Sequence, residues 1–510
     1  MGLLLLLNVI LRIPSVPHET GHDSFVIHFL SNSVSSSGYA EWWLKWLSVF
    51  GLYPYSYASA VPFEISGVSQ LTGISIEYII LLLCIFFSLF IVFCSYLLAS
   101  IFYKDFLFRF FFSSLFSLSS LAINTWTVTG RSQFLVFVPL FLYIVFKVFN
   151  SGNKFLILYV LIAIFLLSTH HFFYLALLYS VLALITFYLY KHRLKLFSLF
   201  AHRFHFCGGC LYISLVLVLS IVPFVFSGKI GLISSGSRYE WIISMMVANI
   251  RNIGFLFLIS LGGFLYISLK KSKIFEEYVL LTLSIPTIIL SYNLTYGYFM
   301  MSVLMLIFGS IGVNNVMKNY NLNHKFVLTF IVVFILLTVS FSSFFSNWRL
   351  GESDQSGWYM TEETYITGEW INGYINEDNL AMPTFLGVET RMLIAICEGK
   401  LNIYGELLSN FVYGLIAFNE TDLQKNSVFS ASYYFDGPYF LNENADPLGE
   451  LAWTLQFPVN DKRSLYFINQ HNISYFIEDN VYRNAFSNSL PENKCKIYES
   501  GKMRLWYDTM

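Results

Sequence analysis

Charge is scarce in this chain. Asp, Glu, Lys and Arg make up 12% of its 510 residues, whereas an ordinary soluble domain carries about 25%. Hydrophobic residues reach 56%, and the mean hydropathy is +0.62. These values exclude a soluble fold and point to an α-helical polytopic membrane protein. Cysteine is also sparse, with six in all. Cys207-Gly-Gly-Cys210 lies near His202 and His205, but a zinc site of this kind needs a second pair, and an interfacial turn is the simpler reading. Cys84 and Cys94 fall inside an apolar run and read as core residues. Cys397 and Cys495 fall in the C-terminal region, where a disulfide is permitted if that region faces out.

The few charges are unevenly placed. Residues 346–510 hold 22 acids and 11 bases, leaving 9 acids and 19 bases for residues 1–345. The asymmetry divides the chain into a membrane domain, 1–345, and an acidic soluble domain, 346–510. Apolar runs place about eleven spans, near 2–12, 77–102, 108–124, 132–147, 155–169, 172–190, 207–226, 253–269, 275–292, 298–316 and 325–345. A span needs about 20 apolar residues, so the first is too short to cross untilted. No small-residue cleavage site follows Arg12, which favours an anchoring helix over a signal peptide.

Alternate short loops carry the bases: Lys104 and Arg109; Lys147 and Lys154; Lys191, Arg193, Lys195 and Arg203; Lys270, Lys271 and Lys273; Lys318 and Lys325. The positive-inside rule assigns all of them to the cytoplasm. Loops 13–76, 125–131, 169–171, 227–252 and 293–297 then face out with the C-terminal domain, as in a multi-pass plasma-membrane protein.

The polar groups capable of chemistry collect on that outer face. The large first loop carries Glu19, His22, Asp23, His28, Glu41 and Glu64. The other outer loops add Trp126, Arg131, His170, His171, Lys229, Arg238, Glu240 and Arg251. Short loops at one end of a bundle can converge on one cleft. Within the first loop, Ser24–Ser33 reads as an amphipathic helix with Phe25, His28 and Phe29 on one side. Ala58–Thr72 reads as a second, ending at Gly73, and both are expected to lie along the membrane surface. Asp23 precedes the first of these helices, where it fits either an N-cap or a functional carboxylate. His170-His171 fits a metal ligand or a phosphate contact equally. Arg131 fits snorkelling or anion binding. Arg238-Tyr-Glu240 fits a solvated ion pair or a phosphate clamp.

In the C-terminal domain, Thr361–Ile375 is expected to form a helix with Tyr365, Ile366, Trp370, Ile371 and Tyr374 as its apolar stripe. Strand-like runs follow at Ala381–Leu386, Leu401–Tyr404 and Ser474–Ile477. Lys496–Tyr498 and Met503–Tyr507 flank a hairpin turn at Glu499-Ser-Gly-Lys502, so the domain is α/β or α+β.

A long first outer loop with an Asp just after the first span, followed by two juxtamembrane helices, resembles the integral-membrane GT-C glycosyltransferases. His22-Asp23, Ser24–Ser33 and Ala58–Thr72 stand in that order. Tyr53-Pro-Tyr-Ser-Tyr-Ala-Ser-Ala-Val-Pro62, Asn472-Ile-Ser-Tyr-Phe476 and Lys496-Ile-Tyr-Glu-Ser-Gly-Lys-Met-Arg-Leu-Trp506 look like segments of archaeal-type members related to protein O-mannosyltransferases. Two features of oligosaccharyltransferases are missing. No WWDYG-type motif occurs in 346–510, and Ala122–Arg131 contains no acid.

The resemblance implies transfer of a hexose such as mannose from a polyprenyl-phosphate donor to an acceptor hydroxyl on a protein or a lipid-linked glycan. Asp23 would act as general base. His22, His28, Arg131, His170, His171, Arg238 and Glu240 are the candidates to bind donor phosphate or substrate. No cofactor is required by this scheme, although His22, Asp23 and His28 could ligate a divalent ion. An oligosaccharyltransferase or a polysaccharide polymerase would share the lipid-linked substrate. A flippase would carry its ionisable groups near the membrane midplane, where these spans have almost none. A non-catalytic glycan-assembly protein would need none of the outer-face chemistry.

Overall fold

The computed structural model describes residues 1–40, 42–43, 46–52, 56–121, 125–191, 240–293, 297–319, 325–352, 359–375, 379–383, 388–397, 401–403, 461–470, 472–479 and 494–508. Eight helices account for most of the first 191 residues: α1 (Gly2–Ile10), α2 (His22–Ser37), α3 (Ala60–Thr72), α4 (Ile76–Phe102), α5 (Phe106–Leu118), α6 (Gly130–Ser151), α7 (Leu156–Thr169) and α8 (Phe173–Lys191). Helices Glu240–Ile253, Leu256–Leu269, Phe275–Asn293, Gly297–Asn319 and Lys325–Glu352 complete the apolar body. Their buried faces form one continuous core of Phe, Leu, Ile and Val that also takes in Cys84. Cys94 is buried as well.

Eleven spans were expected. Among the described residues, five helices are long and apolar enough to cross a membrane, or six if a bent pair counts as one. That pair, Met246–Ile253 and Leu256–Leu269, turns by 104° at Gly254, so part of the expected outer loop 227–252 is helix. The other shortfall is one of length. α1, α5 and α7 have 9, 13 and 14 residues, against the roughly 20 that an upright span requires. The expected span 207–226 and the Cys207–Cys210 pair lie outside the described residues.

α1 is fastened at its C-terminal end. Asn8 donates to Ser117 Oγ at 3.1 Å, and Arg12 donates to Ser343 Oγ and the Ser117 carbonyl at 3.2 and 3.3 Å. Burying a guanidinium in an apolar bundle is tolerable only with such acceptors.

The C-terminal strands are β1 (Asn379–Pro383), β2 (Leu401–Ile403), β3 (Ile473–Asp479), β4 (Lys494–Glu499) and β5 (Met503–Asp508). They form one sheet in the order β2-β1-β3-β5-β4. β1 is parallel to β2 and β3, while β5 runs antiparallel to both β3 and β4. The β4–β5 hairpin closes through Ser500 N–H to the Met503 carbonyl at 2.9 Å, with Gly501 at φ +88°.

The helix Glu362–Tyr374 forms where it was expected, with Thr361 as its N-cap, and the expected stripe is buried in part: Ile371 lies in the core, with Tyr365 and Trp370 packed against it. Thr364, Thr367, Gly368 and Ile371 turn inward, while Ile366 and Tyr374 are exposed. Small residues let this helix press on Ile396 of the helix Val388–Ile396. Close approach by small residues extends the inward face beyond the apolar stripe.

α2 was expected to lie on the membrane surface with one wet side. Instead it is buried from Ser24 to Ser31. Ile27 joins the membrane core. Phe25 and Phe29 belong to the core of the outer domain, with Met360, Ile371 and Met392. Asn32 Nδ2 donates to the Ala395 carbonyl at 2.7 Å.

Candidate functional site

The turn that carries Asp23 is built by backbone constraints. Gly21 is the N-cap of α2 at φ +90°, and a Cβ there would collide with Thr127 Oγ1. Both the dihedral and the space therefore demand glycine. Asp23 is not the cap. It sits in the first turn of α2 and is exposed, while His22 is half-buried. Around it, the first loop is tied to the segment before α6. Thr20 N–H donates to the Trp126 carbonyl at 2.9 Å, Thr20 Oγ1 to the Thr125 carbonyl at 2.9 Å, and Val128 N–H to Ser24 Oγ at 3.1 Å.

That same segment opens α6 with a reciprocal cap between Thr129 and Ser132. A Cβ on Gly130 would lie 2.5 Å from the Thr169 carbonyl and 3.3 Å from the His170 ring. Gly130 thus brings the start of α6 against the end of α7. Arg131 lies over the Phe299 ring, 4.8 Å from its centroid. His170 and His171 sit with ring centroids 3.9 Å apart, and Phe172 N–H donates to His170 Nδ1 at 3.1 Å. An imidazole that accepts at Nδ1 carries its proton on Nε2. Burial and the neighbouring His171 and Arg131 push His170 well below the usual imidazole range. Burial and Arg131 push His171 down to about 4. Both rings are neutral at pH 7, beside one permanent cation.

A second polar group lies behind the Asp23 turn. His18 Nδ1 meets Glu77 Oε1 at 3.0 Å, and its Nε2 meets Glu362 Oε2 at 2.9 Å. Its ring stacks on Tyr365 at 4.1 Å. Glu19 N–H donates to the same Glu77 oxygen at 3.0 Å, and Trp126 Nε1 donates to the Glu77 carbonyl at 3.0 Å. Glu19 is fully buried, with Oε2 at 2.6 Å from His28 Nδ1. Burial pushes the Glu19 carboxyl up against the opposing pull of His28. The outer domain joins this group through Met360 N–H to the Glu19 carbonyl at 3.1 Å and a Thr20–Tyr359 bridge.

The structure thus brings loops 13–24, 125–131 and 169–171 to one end of the bundle, with Asp23, Arg131, His170 and His171 on them. His28 does not face the same space as Asp23, because it is buried on Glu19. Among the described residues, no three His, Cys, Asp or Glu side chains gather closely enough to hold a metal ion. His22, Asp23 and His28 therefore do not form a ligand set. Arg238 lies outside the described residues, and of Glu240 only its place at the start of a helix is described. Sequence reasoning missed His18, Glu77 and Glu362 as a cluster. Its one local signal was Glu77, a lone acid heading a charge-free helix.

No known family profile matches the chain, and no curated protein sequence does either. Solved structures do match. The oligosaccharyltransferase of Archaeoglobus fulgidus, tethered to an acceptor peptide containing the NVT sequon, superposes with a TM-score of 0.56 at 11% identity, covering 94% of this chain and 68% of that one. The same enzyme, AglB, in complex with an inhibitory peptide and a dolichol-phosphate gives 0.54 at 10% identity, with 94% and 68% coverage. ArnT from Cupriavidus metallidurans, bound to undecaprenyl phosphate, gives 0.52 at 11% identity and covers 99% of this chain and 96% of that one. The fold is the one found in these membrane GT-C glycosyltransferases.

Proposed function

We propose that the protein is a glycosyltransferase that moves a sugar from a polyprenyl-phosphate donor to an acceptor hydroxyl on the outer face of the membrane. The observation that carries this reading is one juxtaposition. The turn bearing Asp23 is hydrogen-bonded to the segment leading into Arg131, and that segment is packed through Gly130 on Thr169 and His170. A carboxylate and a cation flanked by two neutral imidazoles stand at one end of a bundle. Two structures that share the fold hold polyprenyl phosphates.

The chemistry follows from charge. Asp23 takes the proton of the acceptor hydroxyl as its oxygen attacks the anomeric carbon. The bond from that carbon to the phosphate oxygen breaks, and the phosphate leaves on its lipid with one more negative charge. In this scheme Arg131 offsets that charge, and His170 and His171 donate imidazole N–H groups to its oxygens. Neutral imidazoles can donate without holding the product as tightly as two further cations would. A monosaccharide donor fits better than an oligosaccharide one, because 346–510 has no WWDYG-type motif and Ala122–Arg131 has no acid. A hexosyl or mannosyl group, and a protein or lipid-linked acceptor, are the substrates we propose.

The test is transfer of label from radioactive polyprenyl-phosphate sugars in membranes containing the wild-type or the Asp23→Asn protein. A general base contributes about 10²–10⁴ in rate, so the variant should lose transfer by that factor while keeping its yield and folding. Full activity in Asp23→Asn removes the base assignment, and no transfer by the wild type from any such donor removes the reaction class.

A further inference from the structure

Glu77 is the only charged residue in α4, and the reaction scheme gives it no part. It lies in the first turn, where an acid stabilises a helix by opposing its dipole. That effect needs no particular direction, and an acid serving it can stay in water. Glu77 is instead buried, with 5% exposure. Its Oε1 accepts from Glu19 N–H and meets His18 Nδ1, both at 3.0 Å. One oxygen thus fixes two consecutive residues on the approach to the Asp23 turn.

The same residue grips the other side of the site. Trp126 Nε1 donates to the Glu77 carbonyl at 3.0 Å, and Trp126 lies on the segment that leads into Arg131. Side chain and backbone of one residue therefore register the two segments against each other, with no loop between. The outer domain enters at the same point, because His18 Nε2 meets Glu362 Oε2 at 2.9 Å.

Asp23 depends on this registration. Its side chain is exposed and, among the described residues, has no hydrogen bond or ion pair of its own. Its place is set by the backbone of residues 18–24. Beyond Glu77 and the Met360 N–H bond to Glu19, that backbone is held by Thr20 on the Thr125 and Trp126 carbonyls, by Gly21 against Thr127 and by Ser24 on Val128 N–H. These last ties all come from the segment 125–128, which Glu77 itself holds through Trp126.

We propose that Glu77 is a positioning residue, whose side chain sets the place of Asp23 relative to Arg131 by its reach rather than by its charge. The inference rests on the function proposed above, in which Asp23 takes the acceptor proton and Arg131 meets the donor phosphate.

Two substitutions separate reach from charge. Glu77→Asp keeps the charge and draws the acceptor oxygen back by one methylene group. Glu77→Gln keeps the length and an acceptor oxygen and removes the charge. A misplacement of about 1 Å can cost about 10²-fold in rate. With a radiolabelled polyprenyl-phosphate sugar that the wild type uses, Glu77→Asp should lower kcat about ten- to a hundredfold and Glu77→Gln less than about threefold. Affinity for undecaprenyl phosphate should stay within about threefold in both, because Arg131 is untouched. In the Asp23→Asn background, Glu77→Asp should lower the residual rate by no more than about twofold, since no base is left to misplace. Amide exchange in peptides covering residues 18–25 should quicken in Glu77→Asp and stay near wild type in Glu77→Gln. A greater loss of kcat in Glu77→Gln than in Glu77→Asp, a loss that adds in full to that of Asp23→Asn, or unchanged exchange in Glu77→Asp overturns the proposal. A lowered melting temperature with kcat unchanged would make Glu77 merely structural and overturns it too. Full transfer by Asp23→Asn removes the base itself, while exchange still reports whether Glu77 holds the turn, so the two failures are separate results.

Discussion

His18 Nε2 stands 2.9 Å from Glu362 Oε2, joining the loop after α1 to the first helix of the outer domain across 344 positions of sequence. Burial alone would lower the imidazole, but its hydrogen bonds and charge interactions with Glu77 and Glu362 outweigh that and raise it. The folded state therefore favours the protonated ring. Its contribution is complete below about pH 6.5, the unfolded value, and is lost as pH rises through the raised folded value. Glu362 is largely exposed, so this arm contributes below about 1 kcal/mol. Hydrogen exchange in residues 359–375 should accelerate as pH rises above neutral, beyond the intrinsic rate. The acceleration should shrink in Glu362→Gln. Corrected exchange that is flat with pH, or unchanged in the variant, contradicts this.

Gly130→Ala should drive a methyl group into the Thr169 carbonyl. Overpacking of this kind costs about 1–3 kcal/mol, and here it separates the loops that bear Arg131 and His170. Thermal unfolding should shift down and transfer should fall with it. An unchanged midpoint with full transfer would show that the two helix ends can move apart freely.

Arg131→Ala should weaken binding of a polyprenyl phosphate roughly ten- to a hundredfold, from the loss of about 1.5–3 kcal/mol of charge-assisted hydrogen bonding. His170 and His171 are held neutral, His171 titrating at about 4. Their depressed values favour the neutral form in the folded protein, so the stability they contribute is present above about pH 6.5 and falls away in acid. Donor binding should show no limb near neutrality from these rings. A limb near pH 6.5 that disappears in His171→Gln would mean that the ring is solvated and charged during binding.

Cys397 and Cys495 form no disulfide among the described residues; the first is buried and the second exposed. The disulfide that an outward-facing region would permit does not join them. A maleimide should label Cys495 in the native protein and Cys397 only after denaturation. Mobility on a gel should not change with reductant on account of this pair.

The parts of the fold legible in the sequence were those governed by local rules. α3 ends at Gly73, at positive φ as helix C-caps are, while α2 runs past its expected end at Ser33 to a like cap at Gly38. β3, β4 and β5 follow from β-branched and aromatic runs flanking a Ser-Gly turn. Loop charge also put Arg131 and His170-His171 at the same end of the bundle, where Gly130 packs on Thr169. What stayed hidden depends on surfaces brought together from afar. The inward face of Glu362–Tyr374 also takes in Thr364, Thr367 and Gly368, small residues that allow close approach and that a hydrophobic count ranks last. His18 and Glu362 carry no mark of each other. Asp23 fitted either an N-cap or a functional carboxylate, and the cap position went to Gly21, at φ +90° and close against Thr127.

The burial of α2 gives the outer domain a second job. Phe25 and Phe29 are covered by Met360, Ile371 and Met392, and burying each such ring is worth about 1.5–3 kcal/mol. A chain cut after its last apolar helix would leave both rings facing water, one turn from the acid it is meant to position. Exchanging the outer domain for that of another protein would do the same unless the replacement supplied a matching apolar wall. The C-terminal strands and helices thus complete a core that begins in α2, and neither part should be expected to keep its fold without the other.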